Sequence, residues 1–163
     1  MLFTLCRLGT TGLVATLLVA CGAVSPNAPS AGLPSLAGGV AVTALTKAPW
    51  KLVTIQEGSS LPSARLKAGI PANHMRLSLT SDQVSFVGGC NRTSGKVLLS
   101  TQGQIKITEL MSTEMACAPE LMLADTEMAD YLMSMAHYEV NDKRLKLSDS
   151  DTTLSFVTTT LTK

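Results

Sequence analysis

The side chains in this sequence that could do chemistry are few: two histidines, four cysteines and a crowd of methionines in one region. His74 and His137 are the only imidazoles, and neither sits in a nucleophile or metal signature. No Gly-x-Ser-x-Gly elbow is present, and the abundant Ser and Thr read as strand and turn residues, so an enzyme is not expected. Cys90, Cys117, His74 and His137 could on paper hold zinc, but their spacing matches no standard ligand pattern. No Cys-x-x-Cys exists to support redox catalysis. Met111, Met115, Met122, Met128, Met133 and Met135 offer thioethers, which bind Cu(I) in an oxidising compartment. The plainer use of methionine is to fill gaps between a helix and a sheet. No cofactor and no resident metal are expected.

The first positions suggest where such a chain works. Arg7 is followed by the apolar stretch Leu13–Ala20, which suits the core of an export signal and is too short to cross a bilayer. It closes on Leu18-Val19-Ala20-Cys21, which resembles the lipobox of bacterial lipoproteins. There a lipid is attached to the Cys thiol before the signal is cut. Residues 1–20 are thus expected to be a signal peptide and Cys21 a lipidated N-terminus. One acyl chain anchors only marginally, at about 0.8 kcal/mol per buried CH₂, so two or three make the anchor permanent. Gly22 in place of Asp favours the outer membrane, facing the periplasm. Residues 21–47 carry Pro26, Pro29 and Pro34 and no charge before Lys47, and read as a flexible tether. Without Arg7, 12 of the 13 Lys and Arg remain against 12 Asp and Glu. A neutral domain has no general attraction for nucleic acid.

Residues 48–158 carry the patterning of one α+β domain. Trp50–Ile55 and Met75–Leu79 alternate as half-buried strands, and Thr80–Gln83 turns into Val84–Val87. Residues 56–74 hold Gly58, Pro62, Gly69 and Pro71 and read as a long loop. Val97–Leu99 and Ile105–Ile107 suggest a second hairpin. Pro119 and Glu120 suit the first turn of a helix. Leu121, Ala124, Met128, Tyr131, Leu132 and Met135 then form its apolar face, with Asp125, Glu127 and Asp130 off it. Met122 and Met133 also fall off that face. Tyr138–Val140, Leu145–Leu147 and Leu154–Val157 close the chain as strands, with turns at Asn141–Lys143 and Ser148–Asp151. The expected architecture is an antiparallel, curved, half-barrel-like sheet with one main helix packed on it.

Gly89-Cys90-Asn91-Arg92-x-Ser94-Gly95 resembles the central signature of the META domain family, that of the heat-shock protein HslJ. Ser112-Thr113-Glu114-Met115-Ala116-Cys117 is similar to its second signature, and Trp50-x-Leu52, Tyr138 and the closing strands fit in order. The resemblance implies an envelope protein linked to stress tolerance, with no agreed biochemical activity. With Cys6 cut away and Cys21 lipidated, Cys90 and Cys117 are the two thiols left, and an exported chain most simply pairs them. Gly88-Gly89 would permit torsions closed to other residues, Asn91 would cap its local turn, and Gly95 would let the chain re-enter a strand. Asn91 and Arg92 could instead form a recognition site. The functional expectation is a non-enzymatic, membrane-anchored module that binds a protein or lipid partner or supports outer-membrane integrity. The alternative is an inhibitor or a module that sequesters lipid, peptide or Cu(I), with Arg92 and the 56–74 loop as its contact surface.

Overall fold

The structure is a computed structural model that describes residues 42–141 and 143–159. The stretch expected to be an export signal, Cys21, most of the expected tether and Asp142 of one turn lie outside the described residues.

Eight strands form one antiparallel sheet: β1 (Trp50–Glu57), β2 (Arg76–Leu79), β3 (Gln83–Val87), β4 (Arg92–Leu99), β5 (Ile105–Ser112), β6 (His137–Val140), β7 (Arg144–Ser148) and β8 (Thr152–Thr158). Their order across the sheet is β5-β4-β3-β2-β1-β8-β7-β6. Among the described residues one long helix, α1 (Pro119–Ser134), links β5 to β6, and a 3₁₀ turn (Ala72–His74) precedes β2. The expected α+β class and curled sheet are what the chain forms. The sheet curls until its edge strands meet at one end, where Ile105 N–H donates to Ala136 O (3.0 Å) and Tyr138 N–H to Gly103 O (2.7 Å). Along the rest of its length β5 pairs only with β4.

Burial follows the strand alternation, and its irregularities have local causes. Trp50, Leu52 and Ile55 are all buried in β1, although the first pair is two positions apart and the second three. A register shift between Leu52 and Thr54 supplies the extra residue, which turns Val53 outward and returns Ile55 to the core. Trp50 is fully buried, and its indole Nε1–H donates to the Leu45 carbonyl at 2.8 Å. Residues 42–46 are helical and Leu45 is itself fully buried, so the end of the stretch read as tether is packed against the domain. A lone tryptophan needs both a large apolar niche and an acceptor for its N–H, and the segment before β1 provides the acceptor.

Helix α1 begins without a side-chain cap; Pro119 sits in its first turn with Glu120, as the sequence suggested. Ala124, Met128 and Leu132 are buried, and so is Met135 just beyond the C-terminus. They join Leu77, Phe86, Leu147, Leu154 and Phe156 in one continuous core. One helix residue departs from expectation. Asp125, placed off the apolar face by its charge, is only 6% exposed. Its position one residue after Ala124 puts it on the inward side, and backbone donors from another loop meet it there.

Two strands are longer than the hydrophobic pattern shows. β4 starts at Arg92, five residues before Val97, and β5 runs to Ser112, five beyond Ile107. The β4 extension is polar, and the β5 extension sets Leu110 beside Met111 between polar residues, so no apolar alternation marks either. Between them lies a bulge, where Ser94 pairs with Met111 but Lys96 with Thr108. Glu109 adopts the left-handed region there (φ 56°) and its carboxylate pairs with Lys96 at 2.8 Å.

Candidate functional site

The two signature segments converge at the end of the sheet where β5 leaves β4 for α1. Asp125 organises the junction. Its Oδ2 accepts the N–H of Cys90 (2.9 Å) and of Asn91 (2.6 Å). Two successive backbone donors on one carboxylate oxygen make charge-assisted bonds of about 1.5–3 kcal/mol each. Oδ1 faces Gly89 so closely that a Cβ there would occupy its place, and the Leu121 carbonyl would be 2.6 Å from that Cβ. Gly89 is therefore required by contact, and its φ is ordinary. Gly88 is the conformational glycine, with φ 144°, and a Cβ on it would collide with the His74 carbonyl.

Asn91 turns its side chain inward to the second signature. Its Oδ1 accepts from Thr113 Oγ1 (3.0 Å) and from Met115 N–H (2.8 Å), while Thr113 Oγ1 accepts the Arg92 N–H (3.1 Å). Cys90 and Cys117 are disulfide-bonded, 6.0 Å apart at Cα across 27 positions of chain. The bridge and the Asn91 bonds hold the same 113–117 segment from two sides. Gly95 does not mark re-entry into a strand, because it lies within β4 opposite the bulge. A Cβ there would come within 2.7 Å of both Leu110 Cδ2 and the Thr108 carbonyl. Gly89, Cys90, Asn91, Gly95, Thr113, Met115 and Cys117 are each fixed by a contact at this junction or at the bulge beside it, and Arg92 is tied in through its backbone alone. Arg92 is exposed at the start of β4.

The junction walls one end of a groove of about 660 Å³. Its long side is the flank of α1 formed by Met122, Thr126, Ala129 and Met133, and its other side is Leu110 and Ser112 of β5. Met115, from the wall, completes it. Met115, Met122 and Met133 are 54%, 45% and 50% exposed, respectively, so three large apolar side chains stand in solvent around one depression. Met128 and Met135, assigned to the core face from their spacing, are buried at 1% and 3%. The histidines are placed apart: His74 lies beside Gly88, and His137 pairs with Ser148 on the edge strand β6.

A second polar cluster fastens the 58–74 loop to α1. Lys67 Nζ pairs with Glu57 at 2.9 Å and lies 5.8 Å from the centre of the Tyr131 ring. Tyr131 Oη donates to Glu57 at 2.8 Å, and Glu127 accepts the Ala68 N–H at 3.1 Å. Lys67, and then the Tyr131 hydroxyl, hold the Glu57 carboxyl below its usual range, and Glu57 in turn raises Lys67. Burial, reinforced by Glu57, raises the Tyr131 phenol.

A family model described as META domain matches residues 43–160, the whole of the described fold. The chain belongs to the META domain family. Solved structures share its fold. An NMR structure of a protein from Burkholderia xenovorans superposes with a TM-score of 0.56 at 20% identity, covering 84% of this chain and 98% of that one. A second NMR structure gives 0.51 at 24% identity over 75% and 97%. A crystal structure of a DUF4847 family protein from Bacteroides vulgatus gives 0.53 at 11% identity over 69% and 93%. No curated protein matches the sequence.

Proposed function

We propose that this protein is an envelope lipoprotein, held to the outer membrane through Cys21, whose META domain acts without catalysis as a binding module supporting envelope integrity under stress. The observation that carries the reading is the groove beside α1, where three methionines stay exposed around one cavity instead of joining the core. Flexible, polarizable thioethers suit a surface that must fit a partner of variable shape. The lipobox-like Leu18–Cys21 and the uncharged stretch after it supply the anchor and the reach.

The two halves of the proposal have separate tests. Replacing Cys21 with Ser should move the protein from the membrane to the soluble fraction, and retention in the membrane would overturn the anchor. Met133→Glu puts a charge in the groove at a half-exposed position and should leave folding and anchoring intact. A strain carrying only this variant should lose envelope-stress tolerance as a deletion strain does. Full tolerance would overturn the groove as the working surface.

A further inference from the structure

The neutral total charge conceals a segregation. Between Lys106 and Lys143 the chain carries eight of its 12 Asp and Glu and no Lys or Arg. Five of the eight, Glu114 to Asp130, lie on α1 or the segment leading into it, on the inner side of the sheet. The outer face of the sheet is the reverse. Arg144, Val157, Lys51 and Arg76 form one cross-strand row over β7, β8, β1 and β2, about 14 Å from end to end. Each follows or precedes a buried residue (Leu145, Phe156, Leu52 and Leu77) and so points away from the core. Lys51 and Arg76 are direct cross-strand partners, an arrangement that repulsion disfavours. No carboxylate relieves it. Among the described residues no ion pair or hydrogen bond engages the Lys51 or Arg144 side chain, and Arg76 donates to the Asn73 and Met75 carbonyls. Glu139, on the neighbouring β6, pairs with Lys146 instead (3.7 Å). The bulge in β1 turns Val53 outward among these cations, 38% exposed. Two open depressions of about 620 and 610 Å³ adjoin there and share Val53 and Val157. Arg144 and Lys146 wall one, and Lys51 and Arg65 the other.

We infer that this face rests on an anionic bilayer surface, with Lys51, Arg65, Arg76 and Arg144 on lipid phosphates and Val53 and Val157 at the headgroup boundary. Two features select a bilayer. The chain leading from Cys21 enters the fold at this row, because Lys51 is the second residue of β1. An anchor there holds the row near the headgroups, where each Lys or Arg strengthens binding about fivefold. Valines set among the cations suit a surface that is charged outside and apolar beneath. The acidic helix then faces away, repelled by the same surface, and the groove beside it stays open. The inference rests on the anchored reading of Cys21 and adds which face meets the membrane.

The test uses residues 21–163 carrying Cys21→Ser, unlipidated and with the Cys90–Cys117 disulfide intact. Vesicles are phosphatidylcholine alone, or the same lipid with about one part in three phosphatidylglycerol. Sedimentation at low ionic strength should show binding about tenfold or more stronger to the anionic vesicles, and lost at high salt. Arg144→Gln and Lys51→Gln should each weaken it about fivefold without lowering thermal stability. Lys106→Gln, an exposed change on the distant strand β5, should leave it unchanged. Lipid spin-labelled at its headgroup should broaden the amides of 51–53, 144–146 and 155–157 and spare α1. Equal binding to both vesicles, or broadening centred on α1, would overturn the inference. So would binding to soluble polyglutamate as tight as to the anionic vesicles, which would make an acidic protein the occupant. The two readings fail separately: Cys21→Ser protein that stays with cell membranes through a high-salt wash overturns the anchor, whatever the vesicles show.

Discussion

At the scale of single residues, the signature is a set of contacts that permit one another. Asp125 can cap Cys90 and Asn91 only because residue 89 has no side chain, and Asn91 can hold the 113–115 segment after β5 only once its backbone is fixed by Asp125. Gly89→Ala should therefore cost more than an ordinary surface change. It displaces Asp125 and strands two backbone donors, and about 2–4 kcal/mol of stability should be lost in denaturant unfolding. Cys90→Ser removes the cross-link and should lower stability by about 3–4 kcal/mol on the loop-entropy estimate. Free-thiol titration of the denatured wild-type protein should find neither Cys90 nor Cys117 reactive. The sequence showed that these residues belong together but not why. Turn chemistry was the visible explanation for Gly89 and Gly95, whereas both are required by atoms distant in sequence. Asp125 was hidden for the same reason. A charge on an amphipathic helix reads as solvent-facing, and only the facing N–H groups make its burial tolerable.

At the scale of elements, hydrophobic alternation located the strands wherever one face is apolar, and it failed where polar residues or a bulge break the alternation. The first half of β4 and the last half of β5 carry Arg92, Ser94, Glu109 and Ser112, and only the ladder between them shows that they are strands. The 58–74 loop gave turn signals alone, yet it is fastened to β1 and α1 by Glu57, Lys67, Tyr131 and Glu127. This fastening should depend on pH. The folded pKa of Glu57 is depressed, so its contribution is present above the unfolded carboxylate value and lost as pH falls through the folded one. Lys67 is raised, so its contribution holds below the unfolded lysine value and disappears as pH rises through the folded one. Exchange of the loop amides, corrected for intrinsic rates, should be slowest between these limits and faster on the acid side of the carboxylate range. Glu57 is largely exposed, so the effect should be local and reduced by salt. Lys67→Met should flatten the acid limb, and an unchanged profile would remove the staple.

For the whole molecule, the curl of the sheet was legible as a class, because strands, one helix and more strands leave a single sheet with one cover. The closure of β5 against β6 at one end was not, since it rests on backbone bonds at Gly103, Ile105, Ala136 and Tyr138 that no side-chain pattern announces. Closure at that end leaves β5 paired only with β4 farther along, where α1 and the disulfide-held 113–117 segment form the groove. Asn91 and Arg92, which the sequence offered for turn chemistry first and for recognition as the alternative, separate accordingly: Asn91 is spent on the wall, and Arg92 lies at the outer start of β4. The most direct measurement places a photo-crosslinking residue in turn at Met122 in the groove, at Arg92, and at Leu98, an exposed position on β4. Each variant is irradiated in intact cells. Binding through the groove predicts a discrete adduct from position 122 and background from 92 and 98. An adduct from position 92 or 98 with none from 122 would contradict it.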